Sequence, residues 1–252
     1  MKAIYSAALM AAVVALMAIN VPSFASKMDD RIEASAKKSY VFKTYLKEDD
    51  IKIQSRDGAV TLTGTVSAEY HKALAQETMA GLPGVKSVDN RLEVKGAPPT
   101  ANSDAWLRDK VKVTLLFHRS VSAGATEVDV KDGIVTLRGQ VANPAQKELT
   151  TEYAKDVEGV KNVKNEMTVS KTSKKTHRTA GDKIDDASII AQVKMTLLFH
   201  RSTSALNTTV TTKRGVVTLS GKARNAAEKD LVTKLVNDVN GVKRVRNRMT
   251  IG

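Results

Sequence analysis

Gly133-Ile-Val-Thr-Leu-Arg-Gly139 decides the fold, because it occurs again as Gly58-Ala-Val-Thr-Leu-Thr-Gly64 and as Gly215-Val-Val-Thr-Leu-Ser-Gly221. The first glycine of each copy follows Asp57, Asp132 or Arg214. Asx-Gly between alternating apolar runs signals a two-residue β-hairpin. Within the second copy Val135, Leu137 and Val141 share one face by the period of two of a strand. Downstream, the pattern G-V-x-x-V-x-N-x-[LM]-x-[VI] starts at Gly84, Gly159 and Gly241. Both patterns are offset by 75 residues between copies one and two and by 82 between copies two and three. The copies therefore align without internal gaps. Upstream, Thr114-Leu-Leu-Phe-His-Arg-Ser120 returns verbatim as Thr196 to Ser202, and Phe42 aligns with Phe117 and Phe199. A fixed internal period marks a chain of repeated structural units.

The units span residues 29–96, 104–171 and 186–252. Each opens with an acidic candidate helix cap, Asp29, Asp104 or Asp186. Leu107, Val111, Thr114 and Leu115, like Ile189, Val193, Thr196 and Leu197, then fall at helical spacing. The hairpin follows. Asn143-Pro-Ala-Gln146 and Asn225-Ala-Ala-Glu228 read as the caps of a second helix, with Pro144 at its first position. Gly84, Gly159 and Gly241 read as its stop. The unit closes on a strand in which Val163, Asn165, Met167 and Val169 alternate with polar residues. A strand–helix–strand return favours a right-handed crossover and parallel pairing. The class is α+β: three tandem α-β-β-α-β domains, each a three-stranded mixed sheet with two helices on one face.

This order, the G-x-V-x-L-x-G element and the trailing G-V-x-x-V-x-N-x-[LM]-x-[VI] resemble the BON domain. The resemblance implies export, an envelope or osmotic-stress role, and phospholipid binding without catalysis. It carries no catalytic residue set. The chain departs from the familiar periplasmic members in having three copies rather than two, and it has no cysteine to acylate, which argues against a lipoprotein.

Residues 1–25 read as a cleavable signal peptide. Lys2 precedes an apolar run from Ala7 to Val21, and Ser23 and Ala25 stand at the −3 and −1 positions of the expected cut. The run is shorter than the ~20 residues of a spanning helix. The expected location is the periplasm. With no cysteine, disulfides and thiolate chemistry are excluded. Ala97-Pro-Pro-Thr100 forms a short stiff linker. Residues 172–185, with Lys174, Lys175 and Arg178, form a basic one.

No catalytic set, metal site or cofactor site is visible. The histidines are His71, His118, His177 and His200, and none has zinc-ligand spacing. His118 and His200, beside Arg119 and Arg201, read as surface or dipole-compensating groups at a helix end. Asp49-Asp50 and Asp185-Asp186 read as solvated turns or caps. Gly58, Gly133 and Gly215 fit a turn of positive φ, and Gly64, Gly139 and Gly221 a close backbone approach. Asn90, Asn165 and Asn247, at an otherwise apolar phase, suit side-chain-to-backbone bonding.

The net charge of +13 points to an anionic partner. It is unevenly placed. Residues 29–96 carry 11 basic and 11 acidic groups, residues 103–171 carry 11 and 10, and residues 182–252 carry 13 and 6. Arg244, Arg246 and Arg248 alternate along the last strand and project from one face. Lys243 precedes them, Lys213 and Arg214 mark the hairpin, and Lys222 and Arg224 follow the next strand. These eight residues are the candidate contacts for an anionic phospholipid surface. Leu115-Leu116-Phe117 and Leu197-Leu198-Phe199 suit core and inter-unit packing, or insertion into lipid. A periplasmic chaperone or scaffold binding proteins is the alternative function. Nucleic acid is disfavoured because no stacking aromatics interleave the basic residues.

Overall fold

Each hairpin turns on two residues of positive φ: Asp57 and Gly58 at 52° and 82°, Asp132 and Gly133 at 53° and 79°, Arg214 and Gly215 at 53° and 79°. This turn matches the right-handed twist of the strands it joins. The computed structural model describes residues 23–96, 99–100, 102–121, 123–170, 183–203 and 207–252, with side chains from residue 27. Most of the expected leader, Ala97 and Pro98, and most of the basic linker lie outside the described residues.

Unit one runs α1 (Ser23–Lys38), α2 (Tyr40–Thr44), β1 (Asp50–Arg56), β2 (Ala59–Val66), α3 (Glu69–Ala80) and β3 (Ser87–Val94). Unit two runs α4 (Asp104–Phe117), β4 (Thr126–Lys131), β5 (Ile134–Val141), α5 (Pro144–Lys155), β6 (Asn162–Asn165) and β7 (Thr168–Val169). Unit three runs α6 (Asp186–Phe199), β8 (Thr208–Lys213), β9 (Val216–Ala223), α7 (Ala226–Asn237), β10 (Arg244–Asn247) and β11 (Thr250–Ile251). In each unit the hairpin strands pair antiparallel and the last strand adds parallel to the second. The inward residues Val60, Leu62 and Val66, and their counterparts Val135, Leu137 and Val141, are buried under the helices. Among the described residues no helix covers the opposite face of each sheet.

The last strand of units two and three is interrupted at a repeated asparagine. Asn165 Oδ1 accepts from Met167 N (3.0 Å), and Asn165 Nδ2 donates to Lys147 O (2.9 Å) and Thr151 Oγ1 (2.7 Å). Asn247 repeats this with Met249, Lys229 and Thr233. Asn90 bonds Leu92 N, Lys72 O and Gln76 in the same way, within a strand that stays continuous. The asparagine thus ties the last strand to the second helix.

Two local readings need correction. The carboxylates of Asp29, Asp104 and Asp186 do not cap helices. They accept from the hairpin amides of Asp57 and Gly58, Asp132 and Gly133, and Arg214 and Gly215, which leaves capping to Ser103 and Asp185 in units two and three. Gly84, Gly159 and Gly241 do not end the second helices, which stop at Ala80, Lys155 and Asn237. Leu82, Val157 and Val239 must first turn into the core, and the glycines bend the chain afterwards.

Helices α4 and α6 are buried on two sides, which explains their consecutive apolar residues. Leu107, Val111 and Leu115 serve the core of unit two, while Val113 and Phe117 join that of unit one. Ile189, Val193 and Leu197 serve unit three, while Ala187, Ala191 and Met195 join unit one. The first helix of unit one breaks at Ser39, which caps α2. The break points Tyr40 N at Asp185 Oδ2 (2.7 Å) and Val41 N at Ser188 Oγ (3.0 Å). Glu77 pairs with Lys194 at 2.6 Å across the same seam.

Units two and three clasp each other reciprocally through the verbatim heptapeptide. His118 bridges to Val239, and His200 to Val157. Arg119 N donates to Asp238 O, and its guanidinium to Asn237 O and to Val242 O (3.1 Å). Arg201 N donates to Asp156 O, and its guanidinium to Lys155 O, Val157 O (3.2 Å) and Val160 O (2.9 Å). Each arginine thus caps the carbonyl end of the other unit's second helix, where a cation is favoured.

Candidate functional site

The candidate site is the open sheet face of unit three, and strand register assembles it. Lys213 lies opposite Val216, and Val216 beside Arg244. Thr211 lies opposite Thr218, and Thr218 beside Arg246. Arg248 N donates to Leu219 O and carries the basic row one step further. Thr211, Lys213, Arg214, Val216, Thr218 and Arg246 line a shallow recess on this face.

Carboxylates paired to arginines mark the open faces of the other two units and are missing from this one among the described residues. In unit two, Arg138 bonds Glu166 at 2.8 Å and lies 3.6 Å from Asp129. In unit one, Arg91 is held by Asp89 at 2.7 Å. Threonine replaces Asp129 at position 211, and Arg248 replaces Glu166. Among the described residues Lys213, Arg214, Lys222, Lys243, Arg244, Arg246 and Arg248 form no ion pair, and all are exposed. Their charge is available to an external anion.

The eight predicted basic residues do not form one cluster. Lys213, Arg244, Arg246 and Arg248 share the open face. Arg214 is at the hairpin tip, and the Lys243 stem covers Gly215 beside it. Lys222 is at the far end of β9, against Gly252. Arg224 lies past the strand and is engaged: its Nε meets Glu228 Oε2 at 3.1 Å, and its guanidinium donates to Ser202 O at 3.0 Å. Among the repeated glycines, Gly64, Gly139 and Gly221 lie against the backbone carbonyls of Asp50, Ala125 and Asn207.

The histidines depart most from the sequence reading. His71, His118 and His200 are buried. His71 Nδ1 lies 2.5 Å from Asp49 Oδ2, so Asp49 is an internal partner rather than a solvated turn residue. His118 stacks on Tyr153 with ring centroids 3.8 Å apart and lies 3.4 Å from Asp238 Oδ2. Tyr153 Oη donates to Asp238 at 2.6 Å, and Ser120 Oγ also donates to it. Burial opposes ionisation of Asp238, but the bonds from His118, Ser120 and Tyr153 outweigh it and hold the carboxyl at about 2. Burial pushes His200 below its ordinary value, opposed by Asp156 at 3.6 Å. The signal for this clasp was in the chain: seven identical residues in two units are more than a shared fold demands. The three imidazoles are thus buried, each beside a carboxylate of the same chain. Among the described residues no cluster of His, Asp or Glu could hold a metal ion.

Comparison with known proteins agrees with the repeat. The sequence model of the BON domain matches residues 28–96, 103–171 and 185–252. Osmotically-inducible protein Y of Escherichia coli (strain K12) is 32% identical over 143 residues, covering 55% of this chain and 71% of that protein. An uncharacterized protein in the gshII 5' region of Anaplasma centrale is 32% identical over 130 residues, covering 52% and 83%. A solved structure of CdsD, a structural protein of the type III secretion system of Chlamydia trachomatis, is 15% identical over 90% of this chain and 92% of that one. Its TM-score of 0.24 is too low to relate the two arrangements.

Proposed function

Because the chain belongs to the BON-domain family, we propose that it is a non-enzymatic envelope protein that docks on anionic phospholipid surfaces through unit three and serves under osmotic stress. The observation that carries the docking is the unpaired row Arg244, Arg246 and Arg248 on an open sheet face, where the matching rows Ser87, Asp89 and Arg91 and Asn162, Lys164 and Glu166 each hold a carboxylate paired to an arginine. The stress role rests on the likeness to a protein named for osmotic induction. The expected location is the periplasm, reached through the leader at residues 1–25. Among the described residues no helix is long and apolar enough to cross a membrane.

Each basic residue near an anionic bilayer contributes about 1 kcal/mol, so three arginines supply roughly 3 kcal/mol, a factor of about 100 in affinity. The test is co-sedimentation with neutral and phosphatidylglycerol-containing vesicles at low and high salt. Binding to the anionic vesicles alone, lost at high salt, is the expected result. Arg244→Ser, Arg246→Ser, Arg248→Ser together should lower it by about 100-fold. Equal binding by that variant, or no binding by the wild type, would refute the reading.

A second reading, a chaperone or scaffold for proteins, is favoured by an apolar recess where the three units meet. Tyr70, Ala73, Trp106, Met195, Leu198 and Phe199 line it, with Glu69, Asp109 and Lys110 also in its wall. Leu198 is 46% exposed. An apolar protein segment suits the recess, and its binding would survive high salt.

A further inference from the structure

We infer that strand β8 is an interaction edge for a second copy of this chain, the two β8 strands pairing antiparallel about Val210. The pairing stands apart from the anionic-surface reading, and only its consequence for membrane affinity rests on that reading.

Among the described strands, the first of each unit pairs with one neighbour, so β1, β4 and β8 are sheet edges. The Arg214–Gly215 turn closes on Lys213 and Val216 as a hydrogen-bonded pair. Alternation along an antiparallel ladder then turns the N–H and C=O groups of Thr212, Val210 and Thr208 away from β9. The equivalent position in unit one behaves this way. Ser55 N turns from β2 and donates to Glu33 Oε1 at 2.9 Å.

Exposed edges invite pairing unless they are guarded, and the three units differ in their guards. Glu33 occupies an outward amide of β1. Strand β4 carries Glu127 and Asp129 on its exposed face. Pairing with its own copy about Val128 would set each opposite the other, carboxylate against carboxylate. Unit three has neither device. Ile190 stands where unit one has Glu33, and Thr209 and Thr211 stand where unit two has Glu127 and Asp129.

The β8 sequence is also complementary to itself. Thr208-Thr209-Val210-Thr211-Thr212 reads the same in both directions. Pairing about Val210 sets Val210 against Val210, Thr209 against Thr211, Thr208 against Thr212, and Lys213 against Asn207. Threonine pairs across strands are favourable, and no like charges meet. Among the described residues Thr212 Oγ1 is buried without a hydrogen-bond partner, and this register brings Thr208 of the copy opposite it. This symmetry selects a copy of the chain over an unrelated peptide.

The faces match as well. Val210 lies on the core side in both copies, so the two open faces lie on one side of a continuous sheet. The two β10 strands become its far members, five strand spacings apart, or roughly 24 Å. That exceeds the Debye length of about 8 Å, so the two arginine rows hardly repel. Six arginines then face one plane, and engagement of one row raises the local concentration of the other.

Sedimentation equilibrium of the full chain without lipid should show the mass rising toward twice the monomer value with concentration. Thr209→Glu with Thr211→Asp installs the guards of unit two, and this variant should stay monomeric with unchanged circular dichroism and melting. Register is read by disulfide formation, since the chain has no cysteine. A mixture of Thr209→Cys chains and mass-tagged Thr211→Cys chains should give mainly the mixed disulfide, in solution or on phosphatidylglycerol vesicles. A doubling that persists in the guarded variant, or same-variant disulfides in the majority, would overturn the assignment. A monomer at every concentration, with no cross-link in solution or on vesicles, would exclude the copy as occupant and leave a foreign strand as the partner of this edge. Loss of vesicle binding alone would bear on the lipid reading and not on the pairing.

Discussion

Replacing Asp238 with alanine tests whether the contact between units two and three is as lopsided as its geometry. By sequence, Asp238 and Asp156 are equivalent, 82 residues apart. By structure they are not. Asp238 accepts from Tyr153 at 2.6 Å and from Ser120, and it faces His118 at 3.4 Å and Arg119 at 3.6 Å, with its side chain 14% exposed. Among the described residues Asp156 pairs with the His200 ring alone, at 3.6 Å, with its side chain 43% exposed. Unit three has Leu235 where unit two has Tyr153, so the second half of the clasp lacks the phenol. A buried hydrogen bond to a charged group is worth about 1.5–3 kcal/mol, and truncation leaves the tyrosine hydroxyl unsatisfied. Asp238→Ala should therefore cost about 3 kcal/mol, and Asp156→Ala less than about 1 kcal/mol, as for exposed ion pairs. Asp238→Asn keeps an acceptor for Tyr153 and should fall between them. The assay is urea unfolding followed by Trp106 fluorescence and far-ultraviolet circular dichroism. Asp238→Ala should lower the midpoint and split the transition as units two and three uncouple. Equal costs for the two alanine variants, or a cost below about 0.5 kcal/mol for Asp238→Ala, would refute the reasoning.

Three further outcomes follow from individual residues. His200 is buried with its pKa lowered. The unfolded chain therefore binds the proton more readily, and stability should fall as the pH drops below about 6.5; His200→Gln should flatten that slope in urea titrations at pH 7 and pH 5. Gly139 has φ of 124°, and an added Cβ would lie 1.9 Å from Ala125 O. Gly139→Ala should cost upwards of about 2 kcal/mol by thermal melting, because the obstacle is backbone. Arg214 holds φ of 53°, a conformation costly for a long side chain. Arg214→Asn should raise stability by about 0.5–1 kcal/mol while removing a cation from the tip of the candidate face.

Much was legible in the chain because it is local. The hairpins follow from residue pairs such as Asp132-Gly133, which needs positive φ. Val135, Leu137 and Val141 show their buried face by period two, and the repeat offsets fix one architecture for all units. The arginine row was visible for the same reason, since alternation along one strand places Arg244, Arg246 and Arg248 together. Whether those charges are free was not visible. Arg138 is neutralised by Asp129 of β4 and by Glu166, just past β6, and only the pairing register brings the three side chains within reach.

The sequence by itself determined the unit, its count and the sign of its charge, through interactions between residues a few positions apart. Tertiary structure alone decided what the repeated heptapeptide does. Phe117 is at the end of its own helix, yet it is buried in the core of unit one. Arg119 caps the carbonyls of a helix in unit three, and Asp238 receives its bonds from unit two. A helix has more than one side, and sequence periodicity identifies the side that covers its own sheet. The other side is buried only when a neighbouring unit arrives, and its partners belong to that unit, as Tyr45 does for Phe117 and Val242 for Arg119.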